Sequence, residues 1–263
     1  MPTHQLNGAE LYFEVTGSGP WVVFAHGGEG TRLHWWAQVA ALQDRFRCVT
    51  YDARGFGQST FGDVPQSDNL HRDDLLSLMN HLGIERAHLV GQSMGGLAVS
   101  GVAIAAPERV DRLVMSDTPF NFATTALAEW SVMMIDKITN GFAVLDHLFA
   151  PDFDRRCPDL SYLYRALSRL NPVRDGPRGL EAYEAWRDQP VGDYRDFAVP
   201  TLFVVGTEDG LTLPWLMRAT AAAVSGSTLV EIEGAGHSPY AEQTAIYNDV
   251  LDRFLSQSSP ADC

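Results

Sequence analysis

The sequence predicts an α/β protein: a mostly parallel, eight-stranded sheet with helices on both faces and a helical block inserted after the sixth strand. Two observations carry this. Short apolar runs alternate with helically spaced runs from Trp21 to Ser116, and the rhythm returns from Thr201 to Leu255. Between them, about Pro119 to Val199, no strand-like run occurs, and helical stretches rich in aromatics and methionines replace it. The expected division is a core at 1–118, an inserted helical unit at 119–199, the rest of the core at 200–257 and a tail at 258–263.

The elements follow in order. "HQLNGAELYFEV" reads as a hairpin, because Asn7-Gly8 suits the left-handed angles of a two-residue turn. "WVVFA" (21–25) is a short strand ending at "HGGEG", and "WWAQVAALQDR" (35–45) has helical spacing. "FRCVTY" (46–51) is the next strand, running into "DARGFGQS". "SDNLHRDDLLSLMNHLG" is a helix capped by Ser67 or Asp68 and stopped by Gly83. "AHLV" (87–90) is a strand, "MGGLAVSGVAIAAPE" a helix and "RLVMS" (112–116) the sixth strand. The inserted block holds "LAEWSVMMIDKI" and "SYLYRALSRL". "TLFVVG" (201–206), "LPWLMRATAAAV", "TLVEIEG" and "AEQTAIYNDVLDRFL" (241–255) complete the strand–helix pattern.

Composition narrows the function. Of 263 residues, 45% are hydrophobic and 20% charged, enough to bury a core. The net charge of −14 argues against nucleic-acid binding and against docking on anionic membranes, both of which need clustered Lys and Arg. Cys48, Cys157 and Cys263 form no C-x-x-C pair and no disulfide framework, and Cys48 reads as a buried core thiol. "MPTHQLNGAELYFEV" has no basic start followed by an apolar block, so a cytoplasmic location is expected. His34, His71, His81, His88 and His147 lack metal-site spacing. No G-x-G-x-x-G follows the first strand and no phosphate loop is present, so neither cofactor nor metal is expected.

The chemistry gathers at "AHLVGQSMGGLAVSG". Ser93 stands in Gly91-Gln92-Ser93-Met94-Gly95, a G-x-S-x-G between strand and helix. The glycines remove side chains that would clash in so tight a bend, and the serine is left exposed above the sheet. A serine hydroxyl is a poor nucleophile at neutral pH, so it needs a base, and the base needs an orienting acid. In this arrangement the chain order is Ser, then Asp or Glu, then His. "VVGTEDG" offers Glu208 and Asp209, and "EIEGAGHSPYAEQ" offers His237, both after strand ends on the edge that carries Ser93.

"HGGEG", "YDARGFGQS", "GQSMGG", "GTEDG" and "GAGHSPYAE", in this order, make nearly the whole chain resemble the α/β-hydrolase superfamily, in its capped serine-hydrolase branch of esterases and carbon–carbon hydrolases. The resemblance implies Ser93 as nucleophile, His237 as base and Asp209 as acid. Asp209 ranks above Glu208 because the family's acid usually falls three residues after the strand-ending glycine, here Gly206. Asp117 is a further candidate, because some members carry the acid after the sixth strand. The resemblance also implies an oxyanion hole from the backbone amides of Gly28 and Met94, with His26 organising that loop. Asp52 and Arg54 are expected to pin a turn through local hydrogen bonds.

In this family an insertion after the sixth strand forms a cap over the site. Pocket candidates are Trp35, Trp36, Phe120, Trp130 and Met134; Phe122, Met133, Phe142, Phe149, Tyr162, Tyr164 and Trp186 also fall in the insertion. The expected partner is a small-molecule substrate, with no nucleic acid and no membrane, and the expected state is monomer or homodimer. The expected activity is cofactor-free cleavage of an ester or lactone bearing an apolar or aromatic group. Alternatives are carbon–carbon hydrolysis of vinylogous diketones, non-hydrolytic chemistry on the same scaffold, or ligand binding alone. Dehalogenase and epoxide-hydrolase relatives use Asp where this chain has Ser93.

Overall fold

The computed structural model describes residues 3–6, 8–62, 68–172 and 180–257. Asn7, Ser67, residues 173–179 of the insertion and the 258–263 tail with Cys263 lie outside them.

Eight strands form one sheet: β1 Thr3–Leu6, β2 Ala9–Thr16, β3 Trp21–Ala25, β4 Arg47–Tyr51, β5 Ala87–Gln92, β6 Val110–Ser116, β7 Thr201–Gly206 and β8 Thr228–Ile232. Their spatial order is β1-β2-β4-β3-β5-β6-β7-β8. β1/β2 and β2/β4 pair antiparallel, and every later pair is parallel. The hairpin closes at Leu6↔Ala9, with Gly8 at φ 75°.

Period-2 alternation sends successive strand residues to opposite faces. Val23, Leu89, Leu113 and Phe203 pack on one side with Leu75, Leu78 and Met79 of α2 (Asp68–His81) and Val99 and Val102 of α3 (Gly95–Ala105). Val22, Val90, Val114 and Leu202 pack on the other with Leu42 of α1 (Trp36–Leu42) and, from the C-terminal helix, Leu251 and Leu255. Cys48 is buried on that second side. Strands buried on both faces read as continuous apolar runs, which is why they were legible.

Between β6 and β7 lie α4 (Thr125–Thr139), α5 (Phe153–Arg156), α6 (Pro158–Ser168) and α7 (Leu180–Asp188). After β7 come α8 (Pro214–Ala223), then β8, α9 (Pro239–Glu242) and α10 (Thr244–Leu255). The single helix expected at 241–255 is therefore broken: Gln243 sits at φ −127°, ψ 50° between α9 and α10. Glu242 explains the break, because its side chain turns inward to bond backbone amides.

Register places the site. Ala25 pairs with Gly91, Gln92 with Ser116, Ser116 with Val204, and Gly206 with Ile232. The carboxyl ends of β3, β5, β6, β7 and β8 are thus level. From β3 the chain goes one way to β4 and the other way to β5, and that reversal opens a crevice above the sheet edge. Among the described residues, no helix is long and apolar enough to cross a membrane.

Candidate active site

Ser93 follows β5 at φ 48°, in the left-handed region. A non-glycine residue there is held by its surroundings. Its amide donates to Ser116 O at 3.0 Å, and its carbonyl accepts from Gly96 N at 2.8 Å. The flanking glycines are sterically required. A Cβ at Gly95 would fall 2.1 Å from Ala25 O, and one at Gly91 would fall 2.4 Å from Val99 Cγ2. α3 therefore lies close against β3 and begins without a side-chain cap, leaving amides of its first turn for other acceptors.

The loop after β3 closes over this turn. A Cβ at Gly27 would lie 3.3 Å from Ser93 Cβ, and one at Gly28 would lie 4.0 Å from Met94 Cβ. Ser93, Met94 and Gly28 are half-buried, whereas the residues just beneath them are buried. His26 holds the loop: its Nε2 accepts from Ala53 N at 2.9 Å, so its Nδ1–H donates to Gly27 O at 2.7 Å.

The loops after β7 and β8 meet. His237 Nδ1 lies 2.9 Å from Asp209 Oδ2, with both residues almost fully buried. A carboxylate is an acceptor only, so this contact fixes Nδ1–H and leaves Nε2 with its lone pair. Asp209 Oδ1 accepts from Leu211 N at 2.8 Å and Thr212 N at 3.0 Å. Glu208, the neighbouring carboxylate, is exposed.

Two residues that sequence reasoning passed over hold His237 in place. Gln92, inside G-x-S, donates Nε2–H to His237 O at 2.9 Å. Glu242 Oε1 accepts from Gly236 N and Ser238 N, and Oε2 accepts from Ala150 N in the insertion. Burial pushes the Glu242 carboxyl upward, opposed by these three amides. Their only sequence signal was position, one residue before the serine and five after the histidine.

Asp117, directly after β6, is fully buried at φ 51°. It accepts from Ser116 Oγ at 2.9 Å and Gly206 N at 3.1 Å. Burial first, and then the Asp209 charge, push its carboxyl well above the usual range. Asp117, Asp209 and His237 each bring an acceptor or donor atom within 4.8 Å of the others. The hydrogen bonds within this cluster and to the adjoining backbone account for its compactness.

The segment between β6 and β7 reaches several of these loops. Asn171 donates to Glu29 O and Gly30 O and accepts from Gly57 N. His34 Nε2 lies 3.2 Å from Ser168 Oγ, and Tyr164 packs edge-on against His34 and meets the Ser238 hydroxyl at 3.5 Å. Trp130 Nε1 donates to Leu211 O at 2.8 Å. Phe120, Trp130, Met134 and Trp186 cluster with Leu97 and Leu211, and Met94 packs against them; Phe120 and Trp186 stack at 4.0 Å.

Other candidates lie elsewhere. Trp35 is fully buried between Phe24 and Tyr240 in the core, with Trp36 packed on the same cluster. Phe122 belongs to the core beneath the sheet, and Tyr162 is 69% exposed. Asp52 pins its turn as expected, accepting from Gln58 N, and also reaches outside it to the Arg32 amide and guanidinium. Arg54 does more than pin a turn: it makes a two-pronged pair with Asp74 on α2, at 2.9 and 2.6 Å, beyond its bond to Phe61 O. That partner is twenty positions away, so local turn chemistry did not point to it.

The family model for the alpha/beta hydrolase fold matches residues 20–244. The chain belongs to that family. Among solved structures, this α/β-hydrolase is similar to a thermophilic esterase from Thermogutta terrifontis, with 28% identity, a TM-score of 0.75, and coverage of 94% of this chain and 93% of that one. It is similar to the enol-lactonase from Burkholderia xenovorans LB400, with 26% identity, a TM-score of 0.76, and 97% and 100% coverage. A proline iminopeptidase of Lactobacillus helveticus is 26% identical, with 95% of each chain covered.

Proposed function

We propose that this α/β-hydrolase is a cofactor-free serine hydrolase that cleaves a carboxylic ester or lactone carrying an apolar or aromatic group. The observation that carries the reading is the buried 2.9 Å contact between His237 Nδ1 and Asp209 Oδ2, at the same sheet edge as Ser93 in its left-handed turn.

In this mechanism Ser93 Oγ attacks the substrate carbonyl carbon and its proton passes to His237 Nε2. Asp209 holds the imidazole in the required tautomer and stabilises the imidazolium that forms. The tetrahedral oxyanion takes hydrogen bonds from the Gly28 and Met94 amides, donors of a kind worth about 3–4 kcal/mol each. His237 then gives its proton to the leaving oxygen. Water, losing a proton to the same nitrogen, cleaves the acyl-enzyme and releases Ser93. The inserted helices act as a cap. The cluster of Phe120, Trp130, Met134 and Trp186, packed against Met94, supports an apolar acyl or alcohol group. The likeness to an esterase and an enol-lactonase supports the bond class.

The test is hydrolysis of graded p-nitrophenyl esters and simple lactones by wild type and Ser93→Ala. Turnover by wild type and a loss of at least about 10³-fold in the variant support the mechanism. A variant that matches wild type removes it. A wild type inactive on the whole panel removes the ester and lactone assignment.

A further inference from the structure

Beside Asp209 and His237 lies another buried carboxyl, that of Asp117. One oxygen of each carboxyl lies within 4.8 Å of the other, so the charge on one acts directly on the other. Their donor supply is unequal. Asp209 takes two backbone amides and the His237 N–H, whereas Asp117 takes one amide and the Ser116 hydroxyl. More donors favour the ionised form, so the charge belongs on Asp209 and the proton on Asp117. The titratable groups facing Asp117 are Asp209, His237, Tyr240 of α9 and Tyr247 of α10. Both tyrosines are buried and raised above their ordinary value, hence neutral. Among the described residues, neither carboxyl bonds to an arginine or a lysine. Two ionised carboxylates there would face each other with no arginine or lysine between them, which a buried site sustains poorly.

We propose that Asp117 and Asp209 form a buried carboxyl pair holding one proton, in which neutral Asp117 donates to Asp209 and so positions the acid that orients His237. This rests on the serine-hydrolase reading for its kinetic consequence, but not for the proton itself. Asp117 is suited to the task by its backbone. Its own amide donates to Val204 O at 2.8 Å, and its left-handed φ, which Asp tolerates better than most residues, turns the side chain back over the end of β7 toward Gly206 N. In the proposed pair Asp209 is held by the Leu211 and Thr212 amides, by His237 and by the proton of Asp117.

The experiment reads the proton directly. Infrared difference spectra of protein labelled with ¹³C-aspartate, taken across neutral pH, are expected to contain a protonated-carboxyl stretch that Asp117→Asn removes. In Asp209→Asn the same band is expected to disappear at lower pH than in wild type, because the neighbouring charge that kept Asp117 neutral is gone. Absence of an Asp117 band at neutral pH overturns the proposal. So does a band that titrates identically in wild type and Asp209→Asn, since burial alone would then hold the proton.

Kinetics on p-nitrophenyl butyrate test the positioning role. Asp117→Ala is expected to lower kcat on the order of 10²-fold at little-changed KM, the scale of an ångström-sized misplacement. Asp117→Asn, whose amide N–H can donate to Asp209 in the proton's place, is expected to recover most of that loss. A folded Asp117→Ala with wild-type kcat overturns the positioning role. Ser93→Ala is run alongside. If that variant stays active, the serine mechanism fails, while the infrared band still decides whether the pair holds its proton.

Discussion

The side-chain amide of Gln92 donates to the carbonyl oxygen of His237 at 2.9 Å, so the residue before the serine grips the residue that would be its base. The two are 145 positions apart in sequence. This bond couples the turn after β5 to the loop after β8. Gln92→Leu keeps the volume but leaves a buried carbonyl without its donor, at a cost of about 1–3 kcal/mol. The expected outcome is a folded enzyme with a lowered thermal midpoint and a kcat reduced about tenfold or more, with KM little changed. Parallel melting and steady-state kinetics check it. An unchanged kcat would show that the His237 loop holds its geometry without Gln92.

Glu242 plays a matching role from the other side. Its two oxygens accept from three backbone amides, those of Gly236, Ser238 and Ala150. Glu242→Gln replaces one acceptor with an N–H₂ that faces an amide donor. Loss of about 1–3 kcal/mol in stability is expected, because at least one buried N–H goes unpaired. Urea unfolding of the two proteins measures it. Since Ala150 belongs to the inserted segment, limited proteolysis of that segment is also expected to speed up.

Which parts were legible follows from the range of the interactions that decide them. β3, β5 and β7 are local apolar runs, and the turn at Ser93 announces itself by its glycines. The loops after β7 and β8 were readable as the source of an acid and a base, but Asp209 was separated from Glu208 only by the family resemblance, and the 2.9 Å contact with His237 is what the structure adds. Arg54 pairing with Asp74, Glu242 breaking a helix at Gln243, and Asp117 lying against Asp209 depend on tertiary neighbours that no local pattern encodes. Trp35 misled for the same reason. Its aromatic ring suits a pocket wall as well as a core, and only the packing of Phe24 and Tyr240 around it separates the two.

Acid should loosen the fold through two buried histidines. His34 Nδ1 accepts from Thr31 N at 2.9 Å, and burial lowers its pKa to about 4. Burial also lowers His88 to about 4, aided by Arg112 and Arg86 and opposed by Asp111. Both folded values lie below the unfolded value of 6.5. The unfolded chain therefore binds more protons, so stability is complete above about pH 6.5 and falls as pH drops toward 4. For His34 the loss by about pH 5 is on the order of 2 kcal/mol. Urea midpoints at neutral and mildly acid pH are expected to show this slope, and His34→Gln is expected to remove roughly half of it. An equal slope in the variant would assign the acid sensitivity elsewhere.

Two glycines at the same edge should respond oppositely to an added methyl group. At Gly95 a Cβ meets Ala25 O at 2.1 Å and the Ala25 carbonyl carbon at 2.6 Å, both backbone atoms that cannot swing aside. Gly95→Ala is expected to cost at least about 3 kcal/mol, or to yield no folded protein, because α3 must be pushed off β3. At Gly28 the nearest atom is Met94 Cβ at 4.0 Å, an ordinary contact, and the backbone is not in a left-handed conformation. Gly28→Ala is therefore expected to melt within about 0.5 kcal/mol of wild type. Under the proposed mechanism the Gly28 amide donates to the oxyanion, so a methyl group added at this residue is expected to hinder the approach of the substrate carbonyl. Loss of kcat/KM for p-nitrophenyl esters at unchanged stability would separate this glycine's role in substrate approach from Gly95's role in packing. A fully active Gly28→Ala would move the oxyanion donor to another amide of the loop.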